Sequence, residues 1–431
     1  MDGQNTTDND NCDSEDVPKW INKDYLELVL KDYFKDNLIK ILDFYTKLAT
    51  KKGENYASLV IRVVIEYENK NLKYNIGKYI IKSSIEDDPI TKKVIKEYQA
   101  FEDEMLMYGE ALPKIQELMN TQNNLQEISV FPKPIYCDFK NNAIILEDLL
   151  QRGYKGADRL KGLDEQHAKL ALKKLAIFHA CSIILDQQDP GCFKKFDHGI
   201  YNRHSDGLNT FFCSSLHKIC TTLHNFGDEF INYSKKIRNL IPHWVEKERQ
   251  CYDPKPNQLN VLAHGDFWST NIMFKYDEFD QDDESRKPLD AILIDFQFSI
   301  WASPAIDLHY FFNTSLAGLP NIDEMENYVK YYYHELLETL KLFEFKEYSK
   351  IPNFKEFLQE FWENGFHALQ TAFIHKSIAF LEDSSVACPE ALFCEGDKME
   401  NFEWAMINNK RIQEHWKILL PCFERKGLFD L

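Results

Sequence analysis

The sequence predicts an α+β protein, with a small antiparallel sheet and a helix in its first third and a larger, mainly helical remainder. Between residues 40 and 148, short apolar runs bounded by turn residues indicate strands. From Arg152 onward the apolar residues recur at helical spacing instead. The chain has 431 residues, 44% of them hydrophobic, which is enough for two lobes.

The N-terminal end of the chain changes character near residue 17. Residues 1–16 are acidic and polar and lack aromatics, which predicts a disordered tail. An amphipathic helix is then expected from Asn22, because apolar residues recur at helical spacing. Those residues are Tyr25, Leu26, Val29, Leu30 and Tyr33.

Three strands are predicted next, over Lys40–Thr46, Ser58–Tyr67 and Lys78–Lys82. The segment 51–57 between the first two strands predicts either a plain hairpin loop or a turn whose backbone amides could cover phosphate groups. A long helix is expected from Ile90 to Tyr108, where the apolar spacing becomes helical again.

A hairpin completes the first region. Tyr136–Phe139 and Ala143–Leu146 are predicted as its strands, because Asn141-Asn142 between them is a favourable hairpin turn. We place the boundary between the two lobes after Asp148, so that the expected domains are 17–148 and 149–431. In the second domain, Asp164 is expected to cap a helix that runs to about Leu185.

The most informative stretch lies between Leu259 and Asp307. Two short apolar runs, Leu259–Ala263 and Ala291–Ile294, are each followed by an acid, Asp266 and Asp295. Both acids are therefore expected on loops just past buried strands, where a scaffold holds reactive side chains.

The spacing around Asp266 adds a chemical argument. Asn271 follows Asp266 by five positions, the offset between a base Asp and a metal-binding Asn in kinase catalytic loops. Phosphoryl transfer needs one carboxylate to accept a hydroxyl proton. It also needs an amide oxygen and a second carboxylate, here Asn271 and Asp295, to hold Mg²⁺, because hard cations prefer oxygen ligands.

Composition and charge argue against several classes of binding partner. The net charge of −18 argues against nucleic acid or an anionic membrane as the main partner. The N-terminus is unlike a signal peptide, and no apolar run is long enough for a membrane span. None of the ten cysteines forms a CxxC pair, which argues against a zinc site, and free thiols predict a cytoplasmic protein.

The string HGDFWSTN at 264–271, followed by ILIDFQ at 292–297, resembles the ecdysteroid kinase-like family of insects. This family belongs to the aminoglycoside phosphotransferase and choline kinase group, so the resemblance implies a bilobal protein-kinase-like fold. It implies that Asp266 is the catalytic base and that Asn271 and Asp295 bind Mg²⁺. The segment Ser303–Leu308 resembles the family's PxxDL segment, which implies a supporting structural role for Asp307, as for His264.

The resemblance also implies a nucleotide site in the first domain. Gly53, Asn55 and Ser58 match a GxNxxS element of the family, and Lys82 matches the lysine that orients the nucleotide phosphates. Glu104 would pair with Lys82, with Glu97 and Glu102 as alternatives. Backbone groups of the hinge, from about Glu147 to Leu149, would bond adenine.

The implied activity is an ATP- and Mg²⁺-dependent phosphotransferase with an alcohol group as acceptor, similar to ecdysteroid 22-kinases. The acceptor would be an apolar molecule such as an ecdysteroid or a hydroxylated xenobiotic. Two alternatives stay open at this point. One is a choline- or aminoglycoside-type kinase, whose cationic acceptor needs an acid-lined pocket. The other is a non-catalytic kinase-fold protein that binds a ligand.

Overall fold

The computed structural model describes residues 17–49, 58–84, 89–277 and 287–430. The predicted tail 1–16, the turn with Gly53 and Asn55, and most of the predicted loop 276–287 lie outside the described residues. The α+β class predicted from the sequence is confirmed, because a five-stranded antiparallel sheet near the N-terminus precedes a mainly helical remainder.

The chain divides into two compact units. The smaller one runs to Ser84 and includes Lys133–Asp148; the larger one consists of Ile85–Pro132 and Leu149–Leu431. The predicted domain 17–148 is therefore divided between the two units. The smaller unit contains α1 (Lys23–Phe34), β1 (Lys40–Leu48), β2 (Ser58–Glu68), β3 (Tyr74–Ser84), β4 (Pro134–Asp138) and β5 (Ala143–Glu147).

The sheet of the smaller unit has the order β1-β2-β3-β5-β4, and all neighbours are antiparallel. Helix α1 begins after Asn22, close to the predicted start, and the Asn22 side chain accepts the Tyr25 N–H. Its apolar side chains at Leu26, Val29 and Leu30 join the buried residues of the strands in one core. The predicted helix and strands of this region are thus present, with strand ends that differ by a few residues.

The larger unit is mostly helical. Its α-helices are α2 (Pro89–Tyr98), α3 (Ala100–Leu106), α4 (Leu112–Asn120), α5 (Glu165–Gln188), α6 (Asn209–Leu223), α7 (Asp228–Leu240), α8 (Trp244–Tyr252), α9 (Ala305–Thr314), α10 (Ile322–Leu342), α11 (Phe354–Glu363), α12 (Phe366–Gln370), α13 (Lys376–Ala379), α14 (Pro389–Phe393), α15 (Asp397–Ile407) and α16 (Lys410–Arg425). Its strands are β6 (Tyr154–Gly156), β7 (Val261–Ala263), β8 (Ile272–Tyr276), β9 (Pro288–Leu293) and β10 (Ile300–Ala302).

The single long helix predicted from Ile90 to Tyr108 is wrong. The chain breaks at Gln99, whose φ of 47° is left-handed, and continues as α3, a π-helical turn (Met107–Ala111) and α4. Tyr98, Ala100 and Phe101 are all buried on the two sides of this break. The apolar spacing is thus helical on both sides of Gln99, and it does not reveal the break at this residue.

Helix α5 agrees with the prediction. It begins after Asp164, whose carboxylate accepts the N–H groups of Gln166 and His167, and it runs to Gln188. His179 lies at its buried centre. Because α5 contacts both β7 and β9, it underlies the two strands that lead to the predicted reactive loops.

Two further observations concern the whole described chain. Among the described residues, no helix is both long and apolar enough to cross a membrane. The nine cysteines that the structure describes form no disulfide bonds with one another.

Candidate active site

Two loops of the larger unit each connect two strands, and the strands of one loop pair with the strands of the other. Strand β7 pairs with β10, with Ala263 opposite Ile300, and β8 pairs with β9, with Ile272 opposite Leu293. Residues 264–271 connect β7 to β8, and residues 294–299 connect β9 to β10. Because each strand of one loop pairs with a strand of the other, the two loops are tied together at both ends.

Hydrogen bonds also join the two loops along their length. The Ile294 N–H donates to the Asn271 carbonyl at 2.9 Å, and His264 Nε2 lies 2.9 Å from the Ile294 carbonyl, to which it donates. The Asn271 amide donates to the Asp266 carboxylate at 2.9 Å. The structure therefore brings Asp266, Asn271 and the loop of Asp295 together.

The backbone of both loops is under constraint. Gly265 has φ of 80°, and a Cβ atom there would lie 1.8 Å from the Phe298 carbonyl oxygen. Only glycine fits this approach between the loops. Asp295 has φ of 67°, which is uncommon for a residue other than glycine and is found mainly where the surroundings over-determine the backbone.

Asp307, in the first turn of α9, forms hydrogen bonds with the backbone of the loop 264–271. Its carboxylate accepts the backbone N–H groups of His264 at 2.7 Å and Gly265 at 2.8 Å. It also lies 3.0 Å from His179 Nε2, which donates to it. The other ring nitrogen of His179 then accepts the Tyr332 hydroxyl at 2.6 Å. Asp307 is fully buried, so these donors replace water around its charge.

Helix α9 contacts the loop at two more points. Its Ser315 hydroxyl, just past the C-terminal end, accepts the Ser269 N–H at 3.0 Å. One turn after Asp307, the Tyr310 hydroxyl is within hydrogen-bonding reach of the Asp266 carboxylate. Tyr310 is a functional candidate that no motif of the sequence marks. Its spacing of three from Asp307, which places both side chains on one face of a helix, is the signal that could have found it.

The electrostatics of Asp266 differ from those of an ordinary surface acid. Burial and the nearby charge of Asp295 together raise the pKa of Asp266 to about 7, although the Tyr310 and Asn271 donors act to lower it. The same environment raises the pKa of Tyr310 well above its usual value, mainly through burial. Asp266 is therefore a carboxylate that can bind a proton near neutral pH.

The donor set of these loops suits a hard cation. Asn271 uses its amide nitrogen to bond Asp266, which orients the oxygen side of the amide as the available ligand atom. Asp295 supplies a carboxylate from the facing loop, and Mg²⁺ prefers such oxygen ligands. The residues present therefore fit the magnesium ion that the sequence analysis expected.

The remaining predicted residues lie on other elements. In the smaller unit, Lys82 (6% exposed) lies on β3, the middle strand, where it pairs with β2 and β5. Ser58 begins β2 and is buried, and Glu147 ends β5, where its carboxylate accepts the Lys133 N–H. In the larger unit, Leu149 is buried at the start of a 3₁₀ turn.

The three candidate glutamates of the larger unit differ in burial. Glu104, on α3, is 1% exposed, whereas Glu102 is exposed and the Glu97 side chain is about one-third exposed. Glu97 also accepts the Ser205 hydroxyl at 3.1 Å. Burial therefore separates Glu104 from the two alternatives.

The comparisons with known proteins agree with this geometry. A model described as the Ecdysteroid kinase-like family matches residues 52–345, which is more than half of the chain. The matched range includes β2 to β10, both loops and helix α9. No curated protein matches the chain at a significant level. With its two tied loops inside the matched range, the chain belongs to the ecdysteroid kinase-like family.

Proposed function

We propose that this protein is a small-molecule kinase that uses Mg²⁺ and ATP to phosphorylate a hydroxyl group of an apolar, uncharged acceptor. The observation that carries this proposal is the arrangement of Asp266, Asn271 and Asp295 on two loops tied by backbone pairing. Membership of the family supports a kinase-type phosphotransfer, and the acids explain how it would proceed.

Asp266 is the proposed general base. A carboxylate with a pKa near 7 is matched to accepting a proton at neutral pH, because it is available as a base yet binds the proton firmly. The donors from Asn271 and Tyr310 hold the carboxylate in one orientation. A fixed base reduces the reorganisation needed when the acceptor hydroxyl attacks the γ-phosphorus.

Asn271 and Asp295 are the proposed ligands of Mg²⁺. When bound, the ion neutralises charge on the phosphate oxygens as it develops during transfer. The pairing of Ile272 with Leu293 fixes the distance between the two ligand-bearing loop ends. The protein's contribution is therefore to present both oxygens before the nucleotide arrives.

We propose that residues of the smaller unit, together with residues next to it in sequence, bind the nucleotide. Lys82 is a buried residue of the middle strand and not a solvated edge lysine, which favours a specific role for its charge. We propose that it orients the phosphates with Glu104 as its partner. Gly53, Asn55 and Ser58 would cover the phosphates, and the backbone from Glu147 to Leu149 would bond adenine.

The acceptor side is proposed near Tyr310. Around this residue lie further aromatic and polar side chains of the larger unit: Tyr201, Tyr252, Glu248, His367 and His375. Glu248 is fully buried, and one of its carboxyl oxygens lies 2.9 Å from His367 Nδ1. A buried acid that is already bonded within the protein is poorly placed to bind a cation, so this environment favours an uncharged alcohol over choline or an aminoglycoside.

The test is ATP consumption by the full-length protein with Mg²⁺, against ecdysteroids, hydroxylated plant phenolics and choline. We expect turnover with a steroid or phenolic alcohol that is lost in Asp266→Asn and on chelation of Mg²⁺. Turnover with choline alone would replace the proposed acceptor class. Absence of Mg·ATP binding would overturn the proposal in favour of a non-catalytic ligand-binding protein.

A further inference from the structure

A second cluster of ligand-type side chains lies outside the proposed active site. Asp197, His198 and His204 belong to the segment between α5 and α6, and their nearest ligand atoms all lie within 4.8 Å of one another. His198 Nδ1 is 2.6 Å from one oxygen of Asp197, and His204 Nε2 is 3.2 Å from the other. One carboxylate thus faces two imidazole nitrogens.

The two imidazoles are held in a defined arrangement. Their rings stack with centroids 4.1 Å apart and planes inclined by 14°. His198 is 8% exposed, and its Nδ1 lies against the Asp197 carboxylate. A neutral imidazole has a lone pair on one of its ring nitrogens, so the nitrogen of His198 that does not bond Asp197 can serve as a metal ligand.

The surroundings of the cluster are acidic. Asp103, on α3, is 1% exposed, and one of its carboxylate oxygens lacks a hydrogen-bond partner in the described structure. Burial raises the pKa of Asp103 to about 8, and the charges of Asp197 and Glu102 contribute to this increase. Lys195 lies nearby but is paired with Glu110. A divalent cation bound at the cluster would favour the ionised form of Asp103.

We propose that Asp197, His198 and His204 bind a divalent transition-metal ion of the Zn²⁺ class, with water as the fourth ligand. Two imidazoles and a carboxylate are a common three-ligand set for zinc, and imidazole ligands favour Zn²⁺ over Mg²⁺. Tetrahedral ligands at about 2.0–2.1 Å from the metal lie roughly 3.4 Å apart, so small side-chain adjustments would suffice. The absence of CxxC pairs does not bear on such a site.

The position of the cluster indicates what the ion would do. Just before it, the Phe196 carbonyl accepts the Trp301 N–H of β10 at 2.9 Å. Between its two histidines, the buried Tyr201 contacts Tyr252, with ring centroids 5.5 Å apart. A bound ion would close residues 197–204 into a loop next to β10, so its effect would be to stabilise this part of the larger unit.

The experiment is metal titration of the full-length protein after chelation, with Co²⁺ absorption and competition of Zn²⁺ against a chromogenic indicator. The chain has ten cysteines and 13 histidines, so matched variants are needed to isolate the site. His204→Gln and Asp197→Asn change exposed side chains and should not impair folding, whereas His217→Gln, exposed on α6, is the control.

We expect the wild type and His217→Gln to bind one Co²⁺ tightly, without the charge-transfer absorption of thiolate ligands. His204→Gln and Asp197→Asn should bind at least about tenfold more weakly. Zn²⁺ should raise the thermal midpoint of the wild type more than that of these variants. Asp295→Asn should retain tight binding, which separates this site from the proposed Mg²⁺ site.

Equal affinity of His204→Gln, Asp197→Asn and His217→Gln would overturn the proposal. A thiolate charge-transfer band on the tightly bound Co²⁺ would do the same, because the ion would then lie on cysteines. Both readouts are independent of ATP turnover, so they also hold if the proposed kinase activity is wrong.

Discussion

Asp266 and Asp307 lie close together in the larger unit, but their carboxylates differ in the hydrogen-bond donors that surround them. Asp307 is fully buried and accepts two backbone N–H groups and an imidazole N–H. Asp266 is partly exposed, is approached by the side chains of Asn271 and Tyr310, and faces the charge of Asp295. The comparison teaches that a carboxylate saturated with donors supports the structure. One that is left short of donors, beside a like charge, can take up a proton.

The largest effect is expected from Asp266→Asn. Removing a general base should lower the transfer rate by about 10²–10⁴-fold, because an amide cannot accept the hydroxyl proton. Stability should be equal or slightly higher, because one of two neighbouring negative charges is removed. Turnover and thermal unfolding of the same preparation are the measurements. Retained turnover would show that Asp266 is not the base.

Asp307→Asn should mainly lower the stability of the fold, in contrast to Asp266→Asn, which should mainly lower the transfer rate. In the wild type, the N–H donors share the two oxygens of the carboxylate, whereas the amide of the variant offers only one oxygen. Buried N–H groups therefore lose partners, at a cost of about 2–4 kcal/mol in unfolding free energy. Activity should fall as well, because the loop that carries Asp266 loses its support. Urea unfolding measures the first effect. If Asp307→Asn were as stable as Asp266→Asn, the proposed structural role of Asp307 would be contradicted.

Tyr310→Phe tests whether orientation of Asp266 matters. Loss of one hydrogen bond to a carboxylate should lower kcat roughly tenfold or somewhat more, with little change in the KM for Mg·ATP. Tyr333→Phe is the control, because its hydroxyl bonds the Pro352 carbonyl instead. An equal response of both variants would mean that Tyr310 only fills space.

The smallest effect is expected from Tyr332→Phe. The hydroxyl bonds His179, which in turn bonds Asp307, so its removal weakens the support of the loop only indirectly. We expect a loss of about 1 kcal/mol in unfolding free energy and less than a threefold change in kcat. A loss as large as that of Asp307→Asn would place the main support of the loop at His179.

Local signals predicted much of the fold because they depend on neighbouring residues. The caps at Asn22 and Asp164 satisfy helix N–H groups within one turn, and both helices begin where expected. The break at Gln99 could not be predicted, because nothing near it favours a left-handed backbone.

The candidate site shows the same division. Asp266, Asn271 and Asp295 were identified because strand ends and a five-residue offset are visible along the chain. Tyr310 was missed because its neighbours form an aromatic run that is typical of a helix core. His198 and His204 were missed because their facing nitrogens depend on the path of a loop, which no short motif encodes.

The pairing of β8 with β9 also bears on how related chains could be found. Asn271 precedes one end of this ladder and Asp295 follows it, with Ile272 opposite Leu293. Their proximity therefore depends on strand register and not on the number of residues between them. Insertions or deletions between Tyr276 and Pro288 would leave the two side chains in place. A search pattern with a fixed gap between the asparagine and the second acid would thus overlook chains that carry the same site.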